Sequence, residues 1–185
     1  MSNNPYPCRF SPARVLAAHT LIANATAITL LAHAKPDGDS LSACAALSYA
    51  LQNLGKKVET IYPSGPADKV PVQPLNLRCG SHSYIPDLII SCDSPTPSRL
   101  YLPTEFSSIP HIVIDHHLNT EIESEYCFVD AGASSTCELV YELMRAWNIN
   151  VTSTIANVLL FGVLSDTQVF RTNSTTPETF RCAEA

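Results

Sequence analysis

The chain has 185 residues, 45% of them hydrophobic and 15% charged, with a mean hydropathy of +0.07. That is enough to bury the core of one domain, and it excludes a disordered chain, which needs fewer apolar residues and more charge. A net charge of −6 excludes the broad basic footprint that captures long nucleic acid, although an acidic chain handles phosphates where bound cations supply the positive charge.

Residues 1–10, with Pro5 and Pro7, read as a loose N-terminal arm. Ser11-Pro12 is an N-cap and N1 pair for a helix running to about Ala25. Ala27 to Ala32 is a short buried strand ending at His33. This apolar stretch is broken by His19, Asn24, Thr26, Thr29 and His33, so it falls short of the roughly 18 residues of a membrane span. A cytoplasmic location with no membrane partner is expected. Ser40 to Leu54 has helical spacing of leucine and alanine, with Gly55 as the C′ residue. Lys56 to Tyr62 is a second strand, and the five prolines of residues 63–86 mark a connection.

Leu88-Ile89-Ile90 and Ile112-Val113-Ile114 are continuous apolar runs, as expected of strands covered on both faces. Ser135 to Trp147 and Thr152 to Leu164 read as helices. The alternation predicts an α/β fold, a mostly parallel sheet flanked by helices on both faces. The seven cysteines form no CxxC pair and are odd in number, so they read as buried reduced thiols rather than a disulfide or zinc framework.

Polar site residues of such folds gather at the carboxyl ends of strands. Three of these strands run directly into acids or histidines. The first leads to His33, Asp37 and Asp39, the next to Asp93, and the third to Asp115-His116-His117. A parallel sheet brings all three tips to one edge, where the groups would repel each other unless cations sat between them. Carboxylate and imidazole donors suit Mn²⁺, with Mg²⁺ or another divalent ion as a harder alternative. Two such ions about 3.5–4 Å apart activate water and neutralise phosphoryl oxygens. Taken singly, each element also has an ordinary reading as a cap, a turn or a core histidine.

His33-Ala-Lys-Pro-Asp-Gly-Asp39, Ser91-Cys-Asp-Ser94, Val113-Ile-Asp-His-His117 and Gly162-Val-Leu-Ser-Asp-Thr167 resemble the four ordered motifs of the DHH phosphoesterase superfamily. Within it they look most like the bacterial oligoribonuclease and 3′-phosphoadenosine-5′-phosphate phosphatase branch, relatives of the RecJ exonucleases. Ala133-Ser-Ser-Thr-Cys-Glu138 is also similar to that branch. The resemblance implies His33, Asp37 and Asp93 on one Mn²⁺, and Asp39, Asp93, His116 and Asp166 on the other. It implies that His117 meets the substrate phosphate or leaving group and that Asp115 supports a ligand ring or the loop, with Asp93, Asp115 and His117 forming the catalytic set. Arg99, Ser134 and Ser135 are further substrate-binding candidates, and His19, His82 and His111 are expected to be structural.

The implied activity is hydrolysis of very short RNA or of a 3′,5′-bisphosphorylated adenosine. The alternatives are cleavage of a cyclic dinucleotide or linear pApA, or a metal- and nucleotide-binding remnant. Ser42-Ala43 replaces a Gly-Ser pair of the family pattern and Gln168 replaces a small residue, which leaves the ligands intact while altering substrate geometry. The family enzymes add a second, glycine-rich DHHA1 domain that grips substrate across the cleft. With six glycines in all, residues 11–185 are expected to form the DHH domain alone. A homodimer or a separate DHHA1-like chain is the expected partner besides the nucleotide substrate.

Overall fold

The computed structural model describes residues 8–65 and 67–185. Ser11 caps α1 (Pro12–Asn24), accepting from the Arg14 N–H, and Val15, Ala18 and Ile22 form its buried stripe. The chain continues through β1 (Ala27–Leu31), α2 (Gly38–Asn53), β2 (Lys57–Tyr62), β3 (Leu77–Cys79), β4 (Leu88–Cys92), β5 (His111–Asp115) and β6 (Tyr126–Val129). It closes with α3 (Thr136–Ala146), α4 (Ser153–Asp166) and α5 (Pro177–Glu184). All six strands are parallel, in the order β3-β2-β1-β4-β5-β6. This is the α/β fold that the alternation of elements implies. No helix among the described residues is long and apolar enough to cross a membrane.

Side-chain alternation along the strands divides the core in two. Ile28, Leu30, Val58, Leu88, Ile90, Ile112, Ile114 and Phe128 face one side, where α1 to α4 cover them. Leu31, Ile61, Ile89 and Val113 face the other, under Leu100, Phe106 and Ile122. That second cover consists of 3-10 turns at Pro97–Arg99 and Thr104–Phe106 and of connecting loops, so the sides are unequally clothed and the α-helices expected on both faces lie on one. Right-handed crossovers account for the inequality. The chain moves one way along the sheet through α2 and the other way through the β4–β5 and β5–β6 connections, which places these on opposite faces.

The order reverses between β1 and β4, so a crevice opens beyond their carboxyl ends. Two strands were not evident from the sequence. β3 lies within the proline-rich connection, three residues at the sheet edge. β6 is only four residues long, of which Phe128 alone is buried.

Residues 1–7 of the expected loose arm lie outside the described residues, but residues 8–10 are not loose. Arg9 reaches Asp130, Glu138 and Glu142 at 2.8, 2.7 and 2.7 Å, and Phe10 packs edge-on against Phe128. Glu138 is buried and also accepts from Ser134 and from Thr179 of α5. The Arg9 guanidinium therefore ties the chain start to α3 and, through Glu138, to α5. Removing it leaves a buried carboxylate short of its cation. Arg9→Ala is expected to lower unfolding free energy by about 3 kcal/mol in urea titration.

Beyond α4 the backbone turns left-handed at three consecutive residues, Gln168, Val169 and Phe170, with φ of 47°, 61° and 61°. Thr167 holds this turn: its Oγ1 accepts from the Phe170 N–H at 3.0 Å and donates to the Val163 carbonyl at 2.6 Å. A β-branched residue pays most for this conformation. Val169 is 62% exposed, so its side chain has little burial to lose. Val169→Gly is expected to raise the unfolding free energy by about 1 kcal/mol, read by the same titration.

Candidate metal centre

Each strand tip delivers a different part of the site. After β1, His33 is buried, and Lys35, at φ 53°, turns the chain toward α2. The sequence places the start of α2 at Ser40, but the helix begins at Gly38 because the Asp37 carboxylate caps it, accepting from the Ser40 N–H at 3.0 Å. Asp39 therefore lies in the first helical turn and points into the interior, fully buried. After β4, Asp93 takes a left-handed φ of 60° while its N–H still donates to the Ile114 carbonyl at 3.0 Å. That bend turns the carboxylate into the crevice instead of along the sheet. After β5 come His116 and His117, and Asp166 arrives from the last residue of α4. The expected metal donors thus come together.

Asp93 lies at the middle. Its Oδ2 is 3.5 Å from His33 Nε2, which is also 3.5 Å from Asp37 Oδ2. Its Oδ1 is 3.4 Å from His116 Nε2, which is also 3.1 Å from Asp166 Oδ2. His33, Asp37 and Asp93 offer donor atoms all within 4.8 Å of one another, and so do Asp39, His116 and Asp166, and Asp93, His116 and His117. The first two trios are those implied by the sequence resemblance, with Asp93 between them.

Burial and charge act against each other here. Burial alone would lower the pKa of both imidazoles, but Asp37 and Asp93 raise His33 to about 10, and Asp166 and Asp93 raise His116 to about 11. Burial pushes the Asp39 carboxyl well above the usual carboxylate range, reinforced by the charges of Asp93 and Asp166. Asp93 is buried too, yet its hydrogen bonds with His116 and His33 hold it below that range. The rings thus carry protons where cations would otherwise sit. Hard carboxylate and imidazole donors with no thiolate among them fit divalent ions of the manganese or magnesium kind.

His117 adjoins the donor sets, its Nδ1 3.7 Å from Asp93 Oδ1, but its hydrogen bond goes to Asp115. Its Nδ1 bonds to Asp115 at 2.7 Å and its ring is 38% exposed, which leaves Nε2 as the nitrogen available to a ligand. Asp115 is fully buried and also accepts from Thr120 Oγ1 at 2.6 Å. It therefore orients His117 and the following loop, not the ring of His116. The hydrogen bond to Asp115 raises the His117 pKa despite burial.

Arg99 also reaches the site, but behind it. Its Nη2 lies 2.9 Å from His33 Nδ1, on the edge of the ring away from Nε2. Ser134 and Ser135 do not reach the cleft. Both are buried: Ser135 caps α3 by accepting from the Glu138 N–H, and Ser134 donates to Glu138 at 2.7 Å. Helix capping has used the hydroxyls assigned to substrate.

His82 and His111 are structural, as the sequence suggested. His82 pairs with buried Glu59 at 3.3 Å and packs edge-on to Phe106. His111 meets Ser91 at 2.8 Å, and burial lowers its pKa to about 4.

Sequence reasoning missed the first turn of α3. Asp39 Oδ2 accepts from the Thr136 N–H at 2.6 Å, Asp39 Oδ1 from the Cys137 N–H at 3.0 Å, and Asp93 Oδ1 from Thr136 Oγ1 at 3.1 Å. The Ser-Ser-Thr run before an apolar helix signals a cap, but not which distant carboxylate the helix end will meet.

Residues 27–163 match the DHH family, N-terminal domain. The chain is 29% identical over 98% of its length to the bifunctional oligoribonuclease and PAP phosphatase NrnA of Thermus thermophilus, covering 55% of that protein. Its fold is similar to that of an exopolyphosphatase-related protein from Bacteroides fragilis, with a TM-score of 0.79 and 22% identity, over 97% of this chain and 57% of that one. It is also similar to RecJ of Thermus thermophilus solved with Mn²⁺, with a TM-score of 0.54 and 17% identity, over 88% of this chain and 25% of that one. The chain thus spans about half the length of the curated relative it matches so fully. With the motif residues gathered at the switch point of the sheet, the chain belongs to the DHH family, whose N-terminal domain runs here from β1 into α4.

Proposed function

We propose that this domain hydrolyses phosphoesters of short ribonucleotide substrates, namely very short RNA or a 3′,5′-bisphosphorylated adenosine, with a pair of divalent cations of which Mn²⁺ is the first choice. The observation that carries this reading is the double contact of Asp93, whose two oxygens face opposite donor sets. A carboxylate so placed would serve both cations. His33 and Asp37 complete one set, and Asp39, His116 and Asp166 the other. The name of the Thermus thermophilus relative supports the substrate class, and the manganese in the RecJ structure supports the metal. A net charge of −6 further favours a small substrate over a long polymer.

When bound, the cations supply an activated water and neutralise the phosphoryl oxygens. The chain itself holds and moves the remaining proton. Asp115 keeps the His117 ring in one orientation with Nε2 available to a ligand, and raises its pKa so that the ring is protonated more readily. His117 then passes a proton from Nε2 to the departing ester oxygen. Burial of His33, Asp39 and Asp93 keeps bulk water from the inner side of the donor sets, while Asp37 and Asp166 stay open to solvent.

Two measurements test this. Turnover of a diribonucleotide is expected to require Mn²⁺ and to fall more than about 100-fold in Asp93→Ala; equal rates in the two proteins would defeat the proposal. Loading the Nε2 donors of His33 and His116 must displace the protons these rings carry at neutral pH. Together with the proton that the raised Asp39 carboxyl holds, two to three protons are therefore released at pH 7, and apparent affinity keeps rising with pH toward about 10, where His33 loses its proton. Calorimetry of Mn²⁺ binding in buffers of different ionisation enthalpy counts them, and no proton release at pH 7 would contradict the ligand assignment.

A further inference from the structure

Asp39 serves one donor set and Asp93 lies between the two; they come from different parts of the chain and would repel each other if both were ionised. Their relative placement cannot come from their own backbones alone. Each carboxylate can rotate about its side-chain bonds, and rotation of Asp93 would withdraw one oxygen from His33 or His116. One residue touches both. Thr136, fully buried at the first position of α3, donates its N–H to Asp39 Oδ2 at 2.6 Å and its hydroxyl to Asp93 Oδ1 at 3.1 Å.

The hydroxyl is the informative part. A threonine in a helix commonly returns its proton to a carbonyl of the preceding turn. At the first position of α3 there is no preceding turn to accept it, and the hydroxyl crosses 43 positions of sequence to Asp93. The N–H contact survives any substitution other than proline, whereas the hydroxyl contact depends on the side chain. The Oδ1 atom it holds is the one facing His116.

We propose that Thr136 is a positioning residue that fixes the Asp93 carboxylate between the two donor sets and so sets their spacing. This rests on the two-cation reading given above. Thr136 touches neither substrate nor, by this account, metal. It anchors the shared carboxylate to the same helix end that grips Asp39 through the N–H groups of Thr136 and Cys137. The two sets are then indexed to one rigid element. That element is itself held by Ser135 at its cap and by Glu138 through Arg9 and Thr179.

Thr136→Val keeps shape and N–H but loses the hydroxyl, Thr136→Ala does the same with less bulk, and Thr136→Ser keeps the hydroxyl. Calorimetric titration with Mn²⁺ reads affinity and stoichiometry, and electron paramagnetic resonance of the loaded proteins reads magnetic coupling between ions. Wild type and Thr136→Ser are expected to bind two coupled ions. Thr136→Val and Thr136→Ala are expected to weaken the second ion by about 10- to 100-fold and to lose the coupling. A purely structural role would lower urea stability in Val or Ala while leaving stoichiometry and coupling unchanged, and that result overturns the proposal. If Thr136→Val does not fold, Thr136→Ala decides alone by the same readouts. Wild type that binds no second ion overturns the two-cation reading itself, and this proposal with it.

Discussion

The structure is organised around the cost of bringing three carboxylates, Asp39, Asp93 and Asp166, to one edge of a sheet. Two of them are fully or almost fully buried, and like charges in a low-dielectric interior oppose one another's ionisation. The surroundings offset that cost piece by piece. His33 and His116 lie between the acids as cationic partners. The first turn of α3 supplies two N–H groups to Asp39, where the positive end of the helix dipole also favours an anion. Each compensating group comes from a different element, so the site needs α2, β4, the β5 tip, α3 and α4 all in register.

That register depends on close helix packing. At Gly38 an added Cβ would collide with the Ser165 side chain, and at Gly162 with Cys137 and Asp39. Both positions lie where α2, α3 and α4 converge on the acids, and only hydrogen fits between them. The strain in the backbone concentrates at the same edge. Lys35, Asp93 and the run Gln168 to Phe170 all take left-handed conformations in the segments that carry site residues. Such conformations persist where surrounding packing over-determines them, and they aim side chains that a relaxed loop would not aim.

Much of this was legible in the chain. A mostly apolar run that ends within a residue or two of an acid or histidine signals a covered parallel strand and its functional tip, and β1, β4 and β5 each show it. The helices were legible from caps and spacing, Ser11, Ser135 and Thr152 among them. β3 and β6 were not, because one is three residues at an edge and the other alternates too briefly to show a period. The roles of Ser134 and Ser135 stayed open in the sequence, between a cap and a substrate contact, for a related reason. A hydroxyl before a helix serves a cap or a ligand equally well, and sequence carries no information on whether solvent can reach it.

The sequence by itself determined the donor chemistry: which acids and imidazoles exist, that they follow strands, and that hard cations suit them. These properties belong to side-chain type and local order, which propensity and periodicity encode. Only the tertiary structure decided how the donors divide. It placed one oxygen of Asp93 toward His33 and the other toward His116, gave Asp115 to His117, and set Thr136 across from Asp93. Those relations depend on rotamers and on helix ends meeting across long stretches of chain. They are fixed by packing around the buried charges and by nothing within any one segment.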